Sequence, residues 1–169
     1  MLRSGSQVRV RAGTVADASA LDRVFRESWS LAYQSIIPGP QLEAVIRKRD
    51  VAWWRDAMLS DRGQLVIEVA GTVGGYTTFG RRRGPGRFEG EIYEIYLGPP
   101  YQGLGLGELL FESARHRLDL ASLNGLIVWA LAGNEQACEF YRRRGGRMIA
   151  RSVDRTTGVP LRKVAFGWP

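Results

Sequence analysis

The chain opens on alternation: from Gln7 to Arg11 polar and apolar residues trade places with a period of two, as in a half-buried strand. The period then lengthens. Thr14-Val-Ala-Asp17 has the spacing of a capping box, and beyond it Leu21, Val24, Phe25, Ser28 and Ala32 share one helical face, which predicts a helix over roughly residues 17–33. Ile36-Ile-Pro-Gly-Pro40 breaks it, because proline has no amide donor and its ring crowds the preceding turn. A second amphipathic region carries Leu42, Val45 and Ile46, then Ala52, Trp53 and Met58, and ends near Asp61-Arg-Gly63. Leu65 to Ala70 and Val73 to Phe79, separated by Gly71-Thr72, read as a hairpin. A basic loop, Arg81 to Gly86, leads to a strand ending at Leu97; glycines follow, and a third helix buries Leu106, Leu110 and Ala114 beside Leu109 and Ser113. Leu126 to Leu131 is a buried strand, Asn134 to Arg144 a short helix, and Met148 to Val153 and Leu161 to Phe166 are closing strands. Helices that separate groups of strands, around one strand-glycine-helix turn, predict a mixed α/β sheet.

Composition narrows the setting. A length of 169 residues fits one domain spanning 1–169, and 44% apolar with 24% charged residues is ordinary for a folded globular chain. No apolar run reaches the roughly 20 residues needed to cross a bilayer, and Met1-Leu-Arg-Ser-Gly-Ser-Gln lacks the apolar core of a signal peptide, so a cytoplasmic protein without membrane contact is expected. Cys138 and His116 are the only residues of their types, too few for a Cys/His metal site, and no metal is expected. The formal charge of +7 suits any polyanion. Arg81-Arg-Arg83 and Arg142-Arg-Arg144 have no stacking aromatics interleaved, so solvated faces are favoured over nucleic-acid binding.

The richest stretch runs from Glu91 to Gly107, where an apolar strand passes through Pro99-Pro100 and three glycines into a helix. Glycines at 103, 105 and 107 let successive main-chain N–H groups and the positive helix end face an anion. A P-loop is excluded, since no Lys-Ser or Lys-Thr pair occurs, and the dinucleotide turn fails because Glu108 stands where its third glycine belongs. What remains is Gln102-Gly-Leu-Gly-Leu-Gly107, of the form Gln/Arg-x-x-Gly-x-Gly/Ala. Downstream, Asn134-Glu-Gln-Ala137-Cys-Glu-Phe140-Tyr141-Arg-Arg-Arg-Gly145 has the form Asn-x-x-Ala-x-x-Phe-Tyr-x-x-x-Gly.

These two motifs, in order, resemble the hallmarks of the GNAT superfamily of N-acetyltransferases. Arg9-Val-Arg-Ala, Asp17-Ala and Ser28-Trp-Ser-Leu-Ala-Tyr33 followed by Pro38 extend the resemblance over nearly the whole chain. It departs at Gly146, where the family usually has an aromatic residue, and looser local packing is expected there. The resemblance implies a mixed, mostly antiparallel central sheet of about six or seven strands, splayed at the central strand and flanked by about four helices. It implies acetyl-CoA as co-substrate, its pyrophosphate on the main chain of Gln102, Gly103, Leu104, Gly105, Leu106 and Gly107, and its pantetheine arm along the strand ending at Leu97. Asn134 would hold the other side, or cap the last helix, or both.

Acetyl transfer from a thioester to an amine needs a proton removed from the amine and one supplied to the thiolate. Glu91 matches the family's general base in members that use one. Glu94 is its rival, on the opposite face of a regular strand unless a bulge intervenes, and both have a plain reading as strand-end charges. Tyr141 would protonate the thiolate, and a main-chain N–H near Leu97 would polarise the carbonyl. Cys138 lacks a base and reads as core, so direct transfer without an acyl-enzyme is expected. The acceptor is an amine, small molecule or protein N-terminus, with Trp29 and Tyr33 as contacts; the alternative is an acyl-CoA-binding module without turnover. Phe166 and Trp168 leave open a homodimer or completion of this chain's own core.

Overall fold

The structure is a computed structural model, and it describes residues 7–169. The leader expectation rests largely on residues 1–6, outside the described residues. Seven strands form one sheet: β1 (Val8–Arg11), β2 (Gly63–Val69), β3 (Thr72–Arg81), β4 (Gly90–Leu97), β5 (Leu126–Leu131), β6 (Arg147–Asp154) and β7 (Leu161–Trp168). Their order is β1-β2-β3-β4-β5-β7-β6, and β4–β5 is the one parallel pairing among them. The β2–β3 hairpin turns on Ala70 and Gly71, with φ of 49° and 82°, the consecutive left-handed pair that matches strand twist in a two-residue loop.

Five helices flank the sheet: α1 (Ala18–Tyr33), α2 (Gly39–Lys48), α3 (Val51–Met58), α4 (Leu106–Leu120) and α5 (Glu135–Arg143). The second amphipathic region is thus two helices. Asp50 parts them, its side chain accepting the Trp53 N–H at 2.9 Å as the N-cap of α3. That phase buries Trp54 at 1% exposure and leaves Trp53 at 38%, the reverse of the expected stripe. On α4 Leu110 is buried as expected while Leu109 is exposed.

Alternation along β2 sorts the two faces. Val66 packs in a cluster with Leu21 and Phe25 of α1, Ile46 of α2 and Trp54 of α3, whereas Ile67 packs with Leu106 and Leu110 of α4. Under α4 and α5 a further cluster joins Ile92, Phe111, Val128, Tyr141 and Phe166. Phe166 and Trp168 are buried in this chain's own core, which removes the apolar C-terminus as an argument for a second copy. Trp168 also accounts for Gly146: a Cβ there would lie 2.5 Å from the indole, so the ring fills the space expected to be loose. Among the described residues no helix is long and apolar enough to cross a membrane, and no cluster of three or more His, Cys, Asp or Glu is placed to hold a metal.

Candidate active site

The parallel pairing of β4 with β5 covers only Gly90–Ile92 against Leu126–Val128, yet β4 runs on to Leu97 and β5 to Leu131. Past Ile92 the strands splay, and the main chain of β4 has no strand partner on that side. A cavity of about 160 Å³ fills the splay, and its walls include Glu94, Leu97, Gln102, Asn134, Phe140 and Tyr141, with Tyr33 and Tyr96 toward α1. Gly98 donates to the Gly74 carbonyl on the β3 side at 2.8 Å; because successive strand N–H groups alternate, that of Leu97 points into the splay. The Leu97 carbonyl, on the same side, accepts from Gln102 Nε2 at 3.0 Å and ties the strand end to the glycine loop.

A bulge decides between the two carboxylates. The β3–β4 register slips between Thr78 and Phe79, so that Thr78 faces Glu94 and Phe79 faces Ile92, with Tyr93 the extra residue. Ile92 and Ile95 both pack toward α4, which turns Glu91 and Glu94 alike to the other face of the sheet. The bulge is thus the exception to regular alternation, and it puts both carboxylates on one face. Glu94 lines the cavity; Glu91 does not. Glu91 is 1% exposed and clamped by Arg83, whose main-chain N–H and Nη2 donate to its carboxylate at 2.9 and 2.8 Å. Held by Arg83 and absent from the cavity wall, Glu91 does not stand where its match to the family's base position would put it. Glu94 instead meets Arg49, 2.6 Å from its Oε1. Arg49, just past α2, carried no motif, and only its place before the Asp50 cap marked it in the sequence.

The glycine loop begins where Pro99–Tyr101 makes one 3-10 turn. Gly103 and Gly105 have φ of 73° and 79°, left-handed values that glycine adopts without steric cost, and no atom lies within 4 Å of a Cβ added at either. Gly105 is the N-cap of α4, so the first-turn N–H groups, including those of Leu106 and Gly107, have no partner within the helix. Gly107 differs: it is helical, and an added Cβ would press on the Phe140 ring at 3.1 Å. Its glycine serves close packing of α4 against α5. Gln102 and Gly107 line the cavity, whereas Gly103, Leu104, Gly105 and Leu106, on the loop and helix end between them, are not among its walls.

Asn134 performs the capping role, its Oδ1 accepting the Ala137 N–H at 3.2 Å, while the residue also lines the cavity. With the oxygen so engaged, the amide NH₂ is the end that can meet other groups, the Tyr33 hydroxyl among them. Tyr141 is buried, and burial pushes its hydroxyl well above the ordinary phenol range. The Tyr33 and Tyr96 hydroxyls share a hydrogen bond of 2.6 Å, and burial raises both. Trp29 does not line the cavity; it stands behind Tyr33, ring centroids 4.6 Å apart, with its Nε1 buried and unpartnered. Cys138 is buried, its thiol pushed up by that burial, and His116 is exposed on another helix. Of the arginine runs, Arg142 and Arg143 face Glu139 at the surface, but Arg144 reaches from α5 to Glu108 in the first turn of α4 and stacks 3.8 Å above Phe140.

The sequence profile described as Acetyltransferase (GNAT) family matches residues 22–146. The chain belongs to the GNAT family. This GNAT protein is 29% identical over 164 residues to an uncharacterized N-acetyltransferase, YuaI, of Bacillus subtilis (strain 168), covering 96% of this chain and 93% of that one. Mycothiol acetyltransferase of Corynebacterium diphtheriae is 30% identical over 107 residues, 62% of this chain and 34% of that one. Among solved structures, the PaiA N-acetyltransferase of Thermoplasma acidophilum in complex with coenzyme A superposes with a TM-score of 0.75 at 19% identity, covering 96% of this chain and 99% of that one. An acetyltransferase of Salmonella typhimurium with its cofactor acetyl-CoA gives 0.68 at 19% identity over 96% and 94%. At these identities the structural likeness is one of fold.

Proposed function

We propose that this GNAT protein is an N-acetyltransferase that uses acetyl-CoA and passes the acetyl group directly to an amine within a ternary complex. One observation carries the reading: a single cleft between splayed β4 and β5 gathers Glu94, the Leu97 N–H, Asn134 and Tyr141 beside the open glycine loop at the N-terminus of α4. The residues fit a coenzyme A thioester. Two left-handed glycines leave room at the main chain for a diphosphate, the first-turn N–H groups of α4 lack partners, and the unpaired edge of β4 suits a pantetheine amide. Acetyl-CoA would supply an activated carbonyl and a thiolate leaving group.

The chain's own groups then divide the proton work. Glu94 accepts the proton given up by the amine as the C–N bond forms, directly or through one water. The Leu97 N–H donates to the carbonyl oxygen as negative charge grows there. Tyr141 gives its proton to sulfur as the C–S bond breaks; burial keeps the phenol neutral until that moment, although it makes the phenol a weaker acid than its ordinary value implies. Asn134 bounds the cofactor side, and Tyr33 with Tyr96 bounds the acceptor side. The acceptor is an amine, either a small molecule or a protein N-terminus.

The test is thiol release from acetyl-CoA across a panel of small amines and N-terminal peptides, paired with acetyl-CoA titration of Gly105→Glu. Amine-dependent release by the wild type, and lost affinity in the variant, are the expected results. Unchanged affinity in Gly105→Glu would show that the pyrophosphate lies elsewhere.

A further inference from the structure

Among the described residues Glu94 is the one charged side chain that lines the cleft, and no cation does. Toward α1 the other polar groups are engaged: the Ser28 hydroxyl donates to the Phe25 carbonyl at 3.3 Å, and the Tyr33 and Tyr96 hydroxyls meet each other at 2.6 Å. The rest of that end is apolar surface, from the rings of Tyr33, Tyr96 and Trp129 with Ala32 and Ala130. Three cations stand close by without joining the wall. Arg49 meets Glu94 at 2.6 Å and keeps its other nitrogen, Nη1, buried. Arg83 holds Glu91, its guanidinium carbon 4.4 Å from the Tyr93 ring centre, and Lys163 Nζ lies 4.6 Å from the ring centre of Trp129. An anion brought into this end of the cleft therefore meets a carboxylate and aromatic rings, with no cation in the wall to pair it.

We propose that the acceptor presents its amine on an uncharged apolar stem, aryl or alkyl, packed against Tyr33, Tyr96 and Trp129, and that α-amino acids are excluded by the carboxylate beside their amine. The inference rests on the reading of this cleft as the site of acetyl transfer, and it narrows the acceptor. An α-carboxylate cannot stay outside while the amine enters, because a single carbon joins the two. Buried without a cation, it forfeits its hydration and stands beside the Glu94 carboxylate. An apolar stem has no such hydration to lose and gains contact with the rings. A neutral group on the same carbon, such as the amide next to a peptide N-terminus, also escapes the penalty of an unpaired charge. Charge, rather than bulk, is what this wall refuses.

The test is a calorimetric binding titration of the full chain, with coenzyme A present so that no acetyl group is available, using 2-phenylethylamine, phenylalaninamide and phenylalanine. These share a ring and an amine and differ in what the amine's own carbon carries: hydrogen, a neutral amide or a carboxylate. 2-Phenylethylamine is expected to bind more tightly than phenylalanine on the order of a hundredfold or more, with phenylalaninamide close to the amine. Trp129→Ala, at a half-buried position, should weaken 2-phenylethylamine more than propylamine, which has no ring to lose a contact. Phenylalanine binding as tightly as 2-phenylethylamine, an amide rejected as strongly as the acid, or no binding by any of the three would overturn the proposal. So would unchanged 2-phenylethylamine binding in a folded Trp129→Ala; the comparison of ligands in the wild type stands without that variant. Thiol release from acetyl-CoA separates the two readings. Binding in the expected order without release from any amine would leave the ligand preference and remove acetyl transfer, whereas release as fast with phenylalanine as with 2-phenylethylamine would leave acetyl transfer and remove the preference.

Discussion

In the proposed mechanism Tyr141 and Glu94 each move a single proton. Tyr141→Phe keeps the ring in the core cluster and removes only the donor, so kcat is expected to fall by about 10²–10⁴-fold with little change in acetyl-CoA affinity, measured by steady-state thiol release beside a binding titration. Equal losses in both would mean that the hydroxyl serves binding. Gly105→Ala places a Cβ in open space but at a left-handed φ of 79°, so it should cost about 1–2 kcal/mol in urea unfolding while leaving the loop's shape intact. Glycines 103 and 105 were legible because the backbone conformation itself demands glycine. The choice between Glu91 and Glu94 was not, because it depends on a slip against Thr78 and Phe79, residues that pair with β4 only once the sheet forms. Arg83 was hidden for a related reason: an arginine in a basic loop gives no sign of reaching back to a carboxylate eight residues on.

Helices α4 and α5 meet beside the cleft, and their junction is built from unlike parts. Gly107 admits the Phe140 ring, Arg144 reaches Glu108, and Trp168 Nε1 donates to the Arg144 carbonyl at 2.8 Å. Asn134→Ala removes the cap of α5 and should cost about 1 kcal/mol of stability. Acetyl-CoA affinity should fall with it if the amide NH₂ serves the cofactor; urea unfolding and a binding titration on the same variant separate the two roles. Trp168→Ala empties the space above Gly146 and is expected to cost about 3–5 kcal/mol, read as a shift in urea midpoint with m unchanged. At this scale the glycine loop and the Asn-to-Gly motif were plain in the sequence, whereas the α2–α3 break was carried by Asp50 alone, a capping residue inside a run whose apolar spacing continues across it.

Across the whole molecule the first strand is tied down by charge. Arg11 on β1 donates to both oxygens of Asp17, at 2.8 and 2.9 Å, and to Glu68 of β2 at 3.0 Å. Led by the Arg11 hydrogen bonds and opposed by burial, the Asp17 carboxyl is held below its ordinary value of 3.8. A lowered folded-state value means stability that is present above the unfolded pKa and lost as pH falls through the folded one. Urea unfolding should therefore show stability dropping below about pH 4, and Asp17→Asn should lower stability at pH 7 while flattening that acid slope. The mixed sheet was legible from the sequence because period-two and period-3.6 segments alternate along it. Its order was not: β7 between β5 and β6 is a matter of long-range pairing, and only the family resemblance pointed to the splay that makes the cleft.

The central claim is that this cleft transfers an acetyl group to an amine. Thiol release from acetyl-CoA, followed with and without each amine of the panel and checked by mass for the acetylated product, tests it most directly. The account predicts amine-dependent release with one acetylated amine per thiol, strongly reduced in Tyr141→Phe. Tight acetyl-CoA binding with no amine-dependent release across the panel would contradict it and assign the fold to binding without turnover.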